Sequence, residues 1–134
     1  MRAMTMTMAL ILSLSAGAIS AKPHLRDVPE VDGTLLAVGI ADEIRKNCPA
    51  ISARMVKALG VVRAVGARAR ALGYSDAEID AYRKSDTEKA RLRAQRDAYL
   101  AEAGATPGAS DGYCRLGREE IEKGGQVGAL LRMN

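Results

Sequence analysis

Tryptophan and phenylalanine are absent from this 134-residue chain, and its only aromatic side chains are four tyrosines, Tyr74, Tyr82, Tyr99 and Tyr113. A core without other large rings has to be built from Ala, Val, Leu, Ile and Met. That favours closely packed helices over a β-sandwich, which draws on alternating Val, Thr, Tyr and Phe. Histidine occurs once, as His24, in a proline-containing stretch with no second nitrogen or thiol ligand beside it. A catalytic triad needs a rigidly placed imidazole and a transition-metal site needs several ligands, so both are disfavoured. The two cysteines have neither a CxxC spacing nor the extra Cys or His that a zinc site requires. No apolar run reaches the roughly 20 residues that span a bilayer. Charge is nearly balanced, 20 Lys and Arg against 16 Asp and Glu, and a formal +4 selects no partner by itself.

What is present begins with an address. Arg2 precedes an uncharged apolar stretch from Met8 to Ala18, and Ala16-Gly17-Ala18 and Ala18-Ile19-Ser20 are small-residue exits. Residues 1–21 therefore read as a Sec-type signal peptide, cleaved between Ala18 and Lys22, and the mature chain is expected to be periplasmic or secreted. The first cysteine is Cys48, far from that exit, which disfavours a lipid anchor. Loss of Arg2 leaves 19 basic residues against 16 acidic ones, a net +3. In an oxidising compartment the one possible pairing is Cys48 with Cys114, a structural disulfide. It would close a loop of about 65 residues and contribute roughly 4 kcal/mol at most. The alternative is two buried free thiols.

The remainder reads as an extended lead-in over 22–33 and a single all-α domain over 34–134, a small bundle of four to five helices. The first helix is expected over Thr34–Asn47, with Leu36, Ile40 and Ile44 on one stripe. The strongest periodicity follows over Pro49–Leu72, where Ile51, Met55, Ala58, Val62, Val65, Ala69 and Leu72 form one continuous face. This predicts the central helix, with Pro49 in its first turn and Gly66 admitting a close neighbour. Ser75 to Glu78 is a capping box, and Ser85 to Glu88 repeats it, so the segment either breaks at Ser85 or runs through. Residues 104–112 are rich in turn formers; Asp111 is placed to cap a last helix ending at Lys123, before Gly124 and Gly125. Val127, Leu130 and Leu131 form an apolar tail expected to pack back. Cys48 and Cys114 would then join the starts of the central and last helices.

Few side chains suggest chemistry. Asp76 and Asp80, four apart, could share a helix face as an acid/base pair, but first-turn acids also simply complement the helix dipole. Glu119, Glu120 and Glu122 read as an exposed face. Gly124-Gly125-Gln126-Val127-Gly128 lacks the Lys-Ser/Thr of a phosphate loop and follows a helix instead of a strand. No catalytic, metal or cofactor site is assigned. Lys84, Lys89, Arg91, Arg93 and Arg96 make the most basic stretch, interleaved with Asp86, Glu88 and Asp97 at helical spacings. With no aromatic inside the run and an export signal ahead of it, nucleic acid is excluded as partner. A solvated face is the bland reading, and these five residues are otherwise the best candidate surface for an envelope protein partner. The function read from these features is a soluble periplasmic binding or interaction module. A periplasmic holdase or envelope-stress protein is the alternative, and a carboxylate-dependent enzyme the weakest one.

The C-terminal pattern Tyr113-Cys114-x-Leu116-Gly117-x-x-x-Ile121-x-x-Gly124-x-x-Val127-Gly128-x-Leu130-Leu131 is distinctive. With Cys48-Pro49 and the export signal, it resembles a family of small exported alphaproteobacterial proteins, domain of unknown function 5333. The resemblance covers nearly all of the mature chain and implies that both cysteines are family features. It brings no activity, ligand or catalytic residue.

Overall fold

The computed structural model describes residues 21–134, so residues 1–20 of the expected signal peptide lie outside the described residues. Five α-helices follow in order, α1 (Pro29–Asn47), α2 (Met55–Ala71), α3 (Asp76–Lys84), α4 (Asp86–Glu102) and α5 (Ser110–Lys123). Two three-residue strands, β1 (Ile51–Ala53) and β2 (Leu131–Met133), complete the element order, with short 3-10 turns at Leu25–Asp27 and Gly128–Leu130. The expectation of a helical bundle with one disulfide holds.

The centre of the bundle is α1, which packs against α2, α4 and α5. It starts at Pro29, five residues ahead of the expected Thr34, because Pro29 occupies the first turn where a missing N–H costs nothing. Glu30 and Asp32 in the first turn and Arg45 and Lys46 in the last match the helix dipole. The lead-in is accordingly shorter than the sequence suggested. Leu25 and Val28 are buried and join Val31, Val65, Ala69 and Tyr74 in a small second core.

The main core gathers Ala37, Ile40, Ala41 and Ile44 of α1 with Leu100 of α4, Tyr113 and Leu116 of α5, and Val127, Leu130 and Leu131 of the tail. Cys48 caps α1 with its N–H on the Ile44 carbonyl, and its backbone is extended, as suits the residue before a proline. Pro49 therefore does not open a helix. The chain turns and enters β1, which pairs antiparallel with β2 in the register Ile51↔Met133, Ser52↔Arg132 and Ala53↔Leu131. This ribbon holds the apolar tail against the core, as the tail's composition predicted. The disulfide joins Cys48 at the end of α1 to Cys114 inside α5, with Cα atoms 5.1 Å apart. It therefore does not link two helix starts.

The expectation for α2 needs the largest correction. Only Val65 and Ala69 of its predicted stripe are buried on this helix, and Ile51 is buried in β1 instead. Met55 keeps 56 % of its surface exposed, Val62 43 % and Leu72 37 %, while neighbouring Val56 keeps 88 % and Leu59 54 %. The periodicity is real, but the helix lies on the outside. Nor does Gly66 admit a helix, since a Cβ there would meet only the Arg70 guanidinium of its own helix, at 3.7 Å.

The break at Ser85 is resolved in favour of two helices. Ser75 closes a full capping box with Glu78, whereas the Ser85 hydroxyl accepts from the Glu88 N–H without the reciprocal bond. The Glu88 side chain is engaged elsewhere. At the last helix Ala109 is the N-cap, with no side-chain bond, so Asp111 sits two positions past the cap, inside the first turn. Gly124 ends α5 in the left-handed conformation, φ 66°.

Candidate functional site

The exposed face of α2 is one wall of a groove of about 460 Å³. Its floor is α1, through Leu35, Val38, Gly39 and Ala41; its walls are Met55, Ala58, Leu59 and Val62 of α2 and Lys89 and Leu92 of α4. Tyr82 and Arg83 of α3 close one end, and Asp42 and Arg45 approach the other. From Leu35 to Arg45 the floor is three helical turns, about 15 Å long. A smaller trough of about 360 Å³ runs along the other side of α2, past Lys57, Val61 and Ala64. The α2 helix is thus a ridge between two apolar hollows. Met55, Ala58 and Val62 belong to the stripe visible in the sequence; Leu59 does not, and that the stripe faces a hollow could not be read there.

The five basic residues divide. Arg91 forks onto Asp32, with Nη1 3.1 Å from Oδ2 and Nη2 bonded to Oδ1, and its Nε donates to Glu88 at 2.8 Å. Arg26 donates to the other Glu88 oxygen, and the Tyr82 hydroxyl donates to Asp32. Glu88 is buried, so two acids and two guanidiniums neutralise one another at the junction of α1, α3 and α4. Burial works to raise the Asp32 carboxyl, yet the Arg91 fork and the Tyr82 hydroxyl outweigh it and hold the group below its ordinary 3.8. Burial first, then the hydrogen bond to Asp32, pushes the Tyr82 phenol well above its ordinary value. Arg96 is likewise turned to the bundle, 3.4 Å from Glu43 of α1 and 2.7 Å from Asp97. Lys84 reaches Asp80 on the surface.

Lys89 and Arg93 remain. Lys89 is 3.7 Å from an Asp86 carboxylate that is itself in solvent, and Arg93 is exposed with no ion pair among the described residues. They sit one turn apart on α4, where Lys89 lines the groove and Arg93 follows the lining residue Leu92. On the opposite wall, α2 contains Lys57, Arg63, Arg68 and Arg70 and no acid. Arg68 and Arg70 are paired with Glu30 and Asp76; Lys57 and Arg63 have no ion pair among the described residues. Sequence inspection found the basic run but could not separate scaffold from rim. The partners that distinguish them lie as far as 59 residues away, as Asp32 does from Arg91.

The candidate carboxylates do not converge. Asp76 is held by Arg70, and Asp80 by Arg83 and Lys84, whose charges lower its carboxyl. Glu119 pairs with Arg115 and Glu122 is exposed. Glu120 is not part of that exposed face: it is buried, accepts from the Tyr99 hydroxyl at 2.5 Å and meets Lys123 at 3.1 Å. Burial and then the hydrogen bond to Glu120 push the Tyr99 phenol up to about 12. His24 is exposed ahead of the first 3-10 turn. Among the described residues no group of three His, Cys, Asp or Glu is placed to hold a metal ion, and no helix is long and apolar enough to cross a membrane.

The distinctive C-terminal pattern is explained by packing. Tyr113, Leu116 and Gly117 form the buried side of α5, Gly124 ends it, and Val127, Gly128, Leu130 and Leu131 are buried beyond it. No curated protein and no solved structure is similar enough to this chain to give a match. A family model does match, over residues 23–132, which takes in α1, the cysteine bridge, the groove and the C-terminal pattern together; the chain belongs to the family of unknown function DUF5333.

Proposed function

We propose that this chain is an exported binding module of the cell envelope, whose receiving surface is the groove that α2 and α4 form over α1, and whose occupant is an envelope protein. The observation that carries the reading is the unfilled hollow itself. A monomeric domain this small gains by burying Met55, Leu59, Val62 and Leu92 in its own core, yet they line open space. Export is supported by the leader at 1–21 and by the disulfide. The basic stretch keeps a part in this function through Lys89 and Arg93, on the rim. Lys84 stands in solvent beside Asp80, while Arg91 and Arg96 serve the scaffold.

The test is site-specific photocrosslinking of the tagged mature protein in its native envelope. A crosslinker in place of Leu59 should capture a discrete partner that one in place of Glu122, on α5, does not. Capture that is equal at both positions would remove the groove from the reading. A holdase is the second reading, and the exposure of Val56, Met55 and Leu59 is its support. It requires that the purified protein suppress aggregation of unrelated unfolding clients, and that Leu59→Asp abolish this.

A further inference from the structure

Resting on the groove as the receiving surface, we infer that its occupant is an amphipathic helix of about three turns, with carboxylates flanking its apolar stripe, presented by a partner protein. Shape argues for a helix. The floor residues Leu35, Val38 and Ala41 are recessed below the α2 and α4 walls, Ala41 being buried outright. The flat face of a bilayer reaches the crests of such walls and leaves the floor dry and empty. A helix is a convex cylinder about 10 Å across, and its side chains at i, i+3, i+4 and i+7 descend into a trough of this kind. A floor about 15 Å long takes about ten residues.

Charge argues for acid on the flanks. On one side Lys89 lines the groove, with Arg93 one turn further along α4; on the other, α2 carries Arg63 next to the lining residue Val62, without a counter-ion among the described residues. Both acids of this groove's lining are already paired. Glu88 is turned inward to Arg26 and Arg91, and Asp42 is bridged by Arg45 and Lys46. A docked helix therefore meets cations on both sides of its apolar stripe. Carboxylates at those flanks gain attraction and register, and lysines there meet like charge.

The probe is a fluorescent synthetic helix of about 14 residues with leucines at i, i+3, i+4, i+7 and i+11 and glutamates on both flanks. It is titrated with the folded, disulfide-bonded mature protein. Binding is expected to weaken at least about tenfold when lysines replace the glutamates. A similar loss is expected for Val62→Asp, whose side chain is exposed, so the fold is retained and circular dichroism verifies it. Lys89→Glu with Arg93→Glu should invert the preference between the two peptides. Equal affinity for acidic and basic peptides would overturn the charge assignment. Binding to vesicles of phosphatidylethanolamine and phosphatidylglycerol, abolished by Val62→Asp and unmatched by any peptide, would replace the helix by a lipid surface. Concentration-dependent dimerisation lost in Val62→Asp would replace it by a second copy. If the crosslinker in place of Leu59 still captures a discrete partner while every peptide fails, this inference falls and the binding-module reading stands. If that capture fails too, both fall.

Discussion

Two glycines show what the C-terminal pattern is for. A Cβ on Gly128 would stand 1.8 Å from the Glu120 carbonyl oxygen and 2.8 Å from the Ile121 nitrogen, both backbone atoms of α5. Backbone cannot swing aside as a side-chain tip can, so the tail packs on α5 only because residue 128 has no side chain. Three positions earlier Gly125 has open space around its hydrogen. Gly128→Ala is therefore expected to destabilise the protein by roughly 1–3 kcal/mol, as overpacked sites do, while Gly125→Ala stays within about 0.5 kcal/mol. Urea unfolding of the two variants side by side checks this, and equal midpoints would mean that the tail does not lie against α5. The same scale explains why the motif is silent about function. Its spacing is that of a helix face, a left-handed stop and a close backbone approach, which are packing requirements. Glu120, which stands at one of the open positions between Gly117 and Ile121, is occupied by Tyr99.

At the scale of elements, α3 and α4 bury little of themselves and are fastened to α1 by charge. No residue of α3 is fully buried, and the bonds from Asp32 to Tyr82 and Arg91 replace part of the missing apolar contact. Arg91→Ala leaves Asp32 and Glu88 without their shared cation, at a cost on the order of 2–4 kcal/mol for a pair that solvent partly reaches. Arg93→Ala, two residues on, should be silent. The sign with pH follows from the depressed Asp32 carboxyl: its contribution is complete above the ordinary 3.8 and is lost as the pH falls below that, through the folded-state value. Acid titration of stability should thus show a loss below about pH 4 in the parent that is smaller in Arg91→Ala, where only the Tyr82 hydroxyl and the more distant Arg26 charge still hold Asp32 low. An identical acid limb in both would show that Asp32 is not the group responsible. What could be read beforehand divides along the same line. The serine caps at Ser75 and Ser85 and the glycine stop at Gly124 are local signals, and the helices begin and end by them. The burial of α2 and the ribbon of β1 with β2 depend on residues 80 apart, as Ala53 and Leu131 nearly are, and periodicity reports a face without saying what covers it.

The whole molecule has one covalent constraint, and nearly everything proposed for it lies inside that loop. The bridge from Cys48 to Cys114 spans 66 positions and encloses α2, α3 and α4, including both walls of the groove. The core it braces is made without Phe or Trp, so each buried side chain contributes about 1.5–3 kcal/mol at best and the margin over chain entropy is thin. Closing a loop of that length restricts the unfolded chain and is worth up to about 4 kcal/mol. Because the effect resides in the unfolded state, the double variant Cys48→Ala/Cys114→Ala should keep its helices while its urea midpoint falls. Its denaturant slope should rise as well, since an unbridged chain exposes more surface. The Cys48 side chain is fully buried, so the native bridge should also resist mild reductant far longer than the same bridge in urea. Stability unchanged in the double variant would mean that packing of Ile44 and Ile51 around Gly117 alone holds α1 to α5. A fall of the expected size would mean that the fold depends on the bridge, and so on conditions that keep it oxidised. The chain would then be more stable with the bridge formed than without it, which supports the export we propose.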